Sequence, residues 1–182
     1  MNPSINLQSL KPVTLNIPFV STKLHLADKL GAVKVRWGIG RNHYLVKPGL
    51  YKVGNPNHDS DVFVSANYKL SFDVLRKNLD TLNAWILVID TKGVNVWCAA
   101  GKGTFATANL VKSILESSLE FIVKHRKMIV PQLGATGVAA HKVQELTGFK
   151  VVFGPIRASD IRLFVQAGYK ATPEMRKMSF PI

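Results

Sequence analysis

Asp61-Val62-Phe63-Val64-Ser65-Ala66-Asn67-Tyr68-Lys69-Leu70-Ser71-Phe72-Asp73 is the stretch on which the fold turns, because here the rhythm of the chain changes. Val62 to Ala66 reads as a strand and Lys69 to Leu82 as an amphipathic helix. The alternation then continues: strand Ala84 to Asp90, helix Thr107 to His125, strand Met128 to Pro131, helix Gly137 to Leu146, strand Val151 to Gly154, helix Ala158 to Ala167. Strands alternating with helices predict an α/β fold, a Rossmann-like, mainly parallel sheet with flanking helices as crossovers.

In such sheets a ligand binds beyond the carboxyl ends of the strands. Those ends carry Ser65-Ala66-Asn67, Thr91-Lys92-Gly93, Gln132-Leu133-Gly134-Ala135 and Gly154-Pro155. Small residues, amides and hydroxyls of this kind give close backbone approach and neutral hydrogen bonds to a bound ligand.

Upstream, Pro3, Pro12 and Pro18 argue against a long early helix, and Ser21 to Leu30 predicts a short one. From Ala32 to Val53, β-type runs punctuated by Gly38, Gly40, Pro48 and Gly49 predict a small N-terminal β meander. Residues 55–60 form a loop. We therefore expect one domain over 1–182, with an extension and meander over 1–60 and a core over 61–170.

The chain has 182 residues, 47% of them hydrophobic, and a formal charge of +13. No apolar run is long enough to span a bilayer and no secretory signal opens the chain, so the segment is expected to be soluble and cytoplasmic. The charge calls for an anionic partner: a phosphate-bearing cofactor, an anionic membrane surface or an acidic protein. Nucleic acid is disfavoured, since the basic residues are dispersed and no recognition motif accompanies them.

Cys98 is the only cysteine. It cannot close an intramolecular disulfide, which leaves packing or thiol chemistry. Asn95 predicts an N-cap for a short cap helix, Val96-Trp97-Cys98-Ala99-Ala100, ended by Gly101 and Gly103. Cys98 then sits in the first turn, where the positive end of the helix dipole favours a thiolate, and Lys102 adds a positive charge one turn on. Ala99, Ala100 and Gly101 leave little bulk around the sulfur, so a large flat partner has room to approach. One sulfur is too few for a structural zinc site.

Asn95-Val96-Trp97-Cys98-Ala99-Ala100-Gly101-Lys102 resembles the cap-helix motif of the corrinoid proteins of mercury methylation. The resemblance extends through Val35 to Arg41, Lys47 to Tyr51, Ser65 to Asp73 and Asp90 to Gly93, and so over nearly the whole chain. The corrinoid iron-sulfur protein of the acetyl-CoA pathway has a related domain that generally lacks the cysteine. The resemblance implies a cobalamin-type corrinoid bound base-off, with Cys98 as lower cobalt ligand. The expected cofactor contacts are Ser65, Ala66, Asn67, Thr91, Asn95, Val96, Trp97, Ala99, Ala100, Gly101, Lys102, Gly103, Gln132, Leu133, Gly134, Ala135, Gly154 and Pro155, with a hydrophobic prop beneath the helix the preferred role for Trp97. It implies methyl transfer to mercury(II) as substrate and a ferredoxin-like iron-sulfur protein as electron donor. It also implies C-terminal membrane helices beyond this segment, making it the cytoplasmic domain of an inner-membrane protein. The alternative is a methyl carrier of acetyl-CoA-pathway type without mercury activity.

Two further readings stay open. Gly101-Lys102-Gly103-Thr104-Phe105-Ala106 fits the dinucleotide fingerprint in letters, but a cysteine-bearing helix separates it from the preceding strand. A basic, non-catalytic binding module requires an inert Cys98. The five histidines show no metal spacing; His58, in the polar loop, is the one to watch.

Overall fold

The computed structural model describes residues 16–178, so the readings placed on Pro3 and Pro12 lie outside the described residues. In chain order the elements are α1 (Leu26–Arg36), β1 (Gly49–Val53), β2 (Val62–Ala66), α2 (Lys69–Lys77), β3 (Ala84–Ile89), α3 (Val96–Gly101), α4 (Thr107–Glu116), α5 (Leu119–Ile122), β4 (Lys127–Val130), α6 (Ala140–Thr147), β5 (Lys150–Phe153) and α7 (Ile161–Gln166).

Every residue of β2 and β3 is buried, which is why both are apolar without alternation: helices cover the sheet on both faces. Alternate β2 residues belong to two separate cores. Val62, Val64 and Ala66 pack with Leu110 and Ile114 of α4 and Val143 of α6. Phe63 packs with Phe72 and Leu75 of α2 and Phe164 of α7. The sheet order is β1-β3-β2-β4-β5. The last four strands in that order are mutually parallel, and the fold is the Rossmann-like α/β arrangement expected.

The N-terminal meander is where the chain departs from expectation. Leu26–Arg36 is helical instead, and the short helix expected over 21–30 starts and ends later. Among the described residues one strand, β1, precedes β2, and it joins the edge of the main sheet antiparallel to β3, with Gly49 opposite Val88 and Val53 opposite Ala84. Tertiary contacts override the β propensity of Val33 and Val35 here: Asp28 in the first turn of α1 is bonded to Lys69 and Arg76 of α2.

Smaller corrections concern helix ends. The helix expected over 69–82 stops at Lys77 and continues as tight turns, Leu79 N–H to Arg76 O and Leu82 N–H to Leu79 O. The long helix expected over 107–125 breaks into α4 and α5 at Ser118, whose φ of 51° is left-handed. The helix expected from Gly137 begins at Ala140, and the one expected from Ala158 opens as a 3-10 turn.

Candidate functional site

Strand β2 has β3 on one side and β4 on the other, so consecutive crossovers leave it in opposite directions and a crevice opens where they part. Pairing between β2 and β4 has a single register pair, Phe63 opposite Ile129. A cavity of about 790 Å³ lies at this switch point, lined by Phe63, Val64 and Ser65 from β2, Ile129 and Pro131 at the end of β4, and Gly154, Pro155 and Ile156 after β5.

One wall is α3 and the turn before it. The turn is organised by Asn67, which is 4% exposed. Its Oδ1 accepts from Thr91 N–H at 3.0 Å, Thr91 Oγ1 at 2.9 Å and Gly93 N–H at 3.0 Å, and its Nδ2 donates to Asp90 Oδ1 at 3.1 Å. Asp90 also accepts from Lys92 N–H and Nζ; these two bonds, the side-chain one first, hold its carboxyl below the usual carboxylate range. Lys92 and Gly93 are both left-handed, at φ 56° and 71°, which reverses the chain from β3 into α3. Asn95 caps the helix as expected, its Oδ1 accepting from Cys98 N–H at 2.9 Å. The amide of Cys98 is thus already satisfied by the cap.

Cys98 is exposed and lines the cavity, together with Asn95, Val96, Trp97 and Lys102. Trp97 is not a prop beneath the helix: it is 56% exposed and stands at the cavity. The small residues have a different use from the one expected. Ala99 is fully buried and Ala100 nearly so, and they face the core, not the sulfur. A Cβ on Gly137 would lie 3.2 Å from Ala100 Cα and 2.1 Å from Phe105 O, so the absence of side chains lets the loop after β4 press against α3.

Of the residues expected to contact a cofactor, Ser65, Asn95, Val96, Trp97, Lys102, Leu133, Gly154 and Pro155 line the cavity beside Cys98. Ala66, Asn67, Thr91, Ala99, Ala100, Gly101, Gly103, Gln132, Gly134 and Ala135 do not; they shape the elements that do. Gln132 accepts from Arg176 Nη1, and Gly134 abuts the Phe105 ring. The Gly101–Ala106 segment wraps around a fully buried Phe105 between α3 and α4, away from the first strand–helix turn a dinucleotide fingerprint occupies. His58 pairs with Asp59 at 2.9 Å and does not line the cavity.

The opposite wall was not legible as a site. It consists of Val35 and Arg36 from α1, Arg41 after the turn, and Leu70, Ser71, Val74 and Leu75 from α2. In sequence Leu70 and Val74 look like ordinary core positions; the exposure of Val74, 43%, is what sets it apart. This wall is held by ion pairs. Lys69 Nζ is 2.6 Å from both Asp28 and Asp73, and Arg76 bonds Asp73 at 2.7 Å and Asp28 at 2.8 Å. Burial by itself would raise the Asp28 carboxyl, but Lys69, the His25 N–H and Arg76 together bring it down to about 2. Lys69 is likewise opposed by burial, and the two carboxylates outweigh that and raise it.

Among the described residues no helix is long and apolar enough to cross a membrane, and no group of three or more His, Cys, Asp or Glu side chains is placed to hold a metal ion. The lining offers one thiol, largely apolar walls and three cationic side chains, with no carboxylate.

Residues 39–165 match the family of the CO dehydrogenase/acetyl-CoA synthase delta subunit. The acetyl-CoA decarbonylase/synthase complex subunit gamma of Methanopyrus kandleri is 32% identical over 66% of this chain and 26% of its own length. The corrinoid/iron-sulfur protein large subunit of Moorella thermoacetica is 30% identical over 67% of this chain and 27% of its own. The acetyl-CoA decarbonylase/synthase complex subunit gamma 2 of Methanosarcina thermophila is 31% identical over 82% and 30%. The chain thus spans between a quarter and a third of the length of these relatives. Their names favour the acetyl-CoA-pathway reading over the mercury reading that the cap-helix motif suggested.

Proposed function

The chain belongs to the CO dehydrogenase/acetyl-CoA synthase delta subunit family, and from that premise we propose that it binds a cobalamin-type corrinoid in the switch-point cavity and serves methyl transfer of the acetyl-CoA-pathway type. The observation that carries this is the switch-point cavity in a chain 30% identical to a corrinoid/iron-sulfur protein large subunit. The lining suits such a ligand: apolar walls for the ring, one soft donor, and cations without competing carboxylates. When bound, a corrinoid supplies the cobalt that carries the methyl group.

The remaining work falls to the chain's own residues. Cys98, exposed on the cavity wall at α3, would be the residue to hold the cobalt. Asn67, Asp90 and Asn95 fix the turn and the cap, so the sulfur is held by a preorganised frame. Trp97 would offer an apolar surface to the ligand, and Val35, Val74 and Leu75 would help exclude water from the cavity. A base-off corrinoid would leave its nucleotide tail free to be held by residues of the cavity walls. The partners are other subunits of a multi-protein complex and a ferredoxin-like iron-sulfur electron donor, to which a chain of +13 formal charge is complementary.

Cys98 also favours a second reading, methyl transfer to mercury(II) by the cytoplasmic domain of an inner-membrane protein. A thiolate held on cobalt would donate electron density to it, and that would suit methyl delivery to a soft electrophile. One experiment addresses both. The protein is reconstituted with cobalamin, and absorption spectra of parent and Cys98→Ala are compared before each is assayed for methyl transfer to mercury(II). We expect a thiolate-dependent band that the variant lacks. Identical spectra would remove the ligand role, and a parent that binds corrinoid but leaves mercury unmethylated keeps the carrier reading alone.

A further inference from the structure

The cavity is electrostatically one-sided. Arg36, Arg41 and Lys102 line it, and no Asp or Glu does. Lys102 belongs to the α3 wall, at the end of the helix that carries Cys98. The two arginines belong to the opposite wall.

Elsewhere among the described residues every arginine but Arg162 is matched. Arg76 pairs with Asp28 and Asp73, Arg157 with Asp160, Arg126 bonds backbone carbonyls, and Arg176 bonds Gln132. Among the described residues, Arg36 and Arg41 have no such hydrogen bond or ion pair. Their convergence is built by the backbone. Helix α1 closes in a Schellman turn, with Ile39 N–H bonded to Lys34 O at 2.9 Å and Gly38 N–H to Val35 O at 3.0 Å. Gly38 and Gly40 adopt φ of 85° and 67°, which side chains resist, and the chain reverses so that residues 36 and 41 face one cavity. Helix α1, which carries Arg36, is anchored to α2 by the Asp28–Lys69–Asp73–Arg76 cluster.

A planar guanidinium recognises an oxyanion through paired, charge-assisted hydrogen bonds. The periphery of a corrin ring carries neutral amides, and the anion of the complete cofactor is the phosphodiester of its nucleotide tail. Resting on the corrinoid reading above, we propose that Arg36 and Arg41 bind that phosphodiester and make the site selective for a corrinoid with a complete tail over one that ends before the phosphate. They are specificity residues, carried by α1 and the turn after it and not by the helix that holds Cys98.

The test is calorimetric titration of the full chain, under reducing conditions, with cob(II)alamin and with cob(II)inamide, which lacks the phosphate and nucleotide. Parent and Arg36→Gln/Arg41→Gln are compared. Two lost charge-assisted contacts correspond to a fall of about 10- to 100-fold in cob(II)alamin affinity. Cob(II)inamide affinity should move by no more than about twofold, and the parent's preference for the tailed ligand should shrink as salt rises. The single Arg41→Gln variant, altered in an exposed turn, should show a smaller loss of the same kind and guards against misfolding of the double variant. A parent with no preference between the two ligands, or a variant that keeps the parent's preference, overturns the proposal while leaving corrinoid binding intact. An equal loss of both ligands by a variant with unchanged melting also overturns it, because the arginines would then only shape the wall. If the parent binds neither corrinoid, the corrinoid reading itself falls with it.

Discussion

The two walls of the cavity are built from opposite kinds of chemistry. The α3 wall, which carries Cys98, is held by neutral hydrogen bonds radiating from one buried amide, Asn67, and by close packing against Phe105 and the loop of Gly134 and Gly137. The α1 wall, which carries Arg36 and Arg41, is held by four interlocked charges, of which Arg76 and Asp73 have side chains only 7% and 4% exposed. A uniform frame would respond uniformly to perturbation. This one should not: charge and pH should act on the arginine wall, and loss of shape or of amide bonding on the sulfur wall.

The largest effect expected is from Arg76→Ala. It leaves Asp28 and Asp73 with Lys69 as their one remaining cationic partner, and breaking a buried pair in this way costs about 3–5 kcal/mol. Denaturant unfolding gives the number. A loss under about 1 kcal/mol would mean that α1 is held by packing after all. Next comes Asn67→Ala, which removes the partner of the Thr91 and Gly93 amides in a buried turn and should cost about 2–4 kcal/mol. Its distinguishing sign is regional: hydrogen exchange should accelerate over residues 90–101 and remain slow in α1.

The smallest effect expected is the acid response. Asp28 is depressed to about 2 from an ordinary 3.8, so its contribution is fully present above about pH 4 and is lost as pH falls through 2. The size is on the order of 2 kcal/mol. Lys69 is raised, so its share is present below its ordinary value of 10.5 and is lost as pH climbs past its folded value. Hydrogen exchange followed from pH 5 to pH 2 should show α1 losing protection before α3. Simultaneous loss in both helices would mean that the walls are not independent.

The difference between the walls also explains what could be read from the chain. The sulfur wall is local. Asn95, Cys98 and Lys102 lie within one short helix, and the cap that Asn95 makes is a contact of |i−j| = 3, so motif and spacing were enough to anticipate it. The arginine wall is non-local. Asp28 reaches Lys69 across 41 positions and Arg76 across 48, and no pattern within a window reveals such pairs. The run from Ala32 was accordingly read by propensity as strand, and Arg36 and Arg41, although within a segment that carries the family resemblance, were not singled out as site residues among 24 basic ones.

By itself the sequence determined the alternation of strand and helix, the parallel sheet, and the helix that presents the single thiol. These follow from periodicity and from residues within a turn or two of one another. Only the tertiary structure decided that β1 closes the sheet edge antiparallel to β3, that the small residues around Cys98 serve internal packing, and that α1 faces α3 across the switch point between β2 and β4. The reason is physical: chain-local forces choose an element's type, whereas its neighbours are chosen by burial and charge pairing between residues that are close only once the chain has folded.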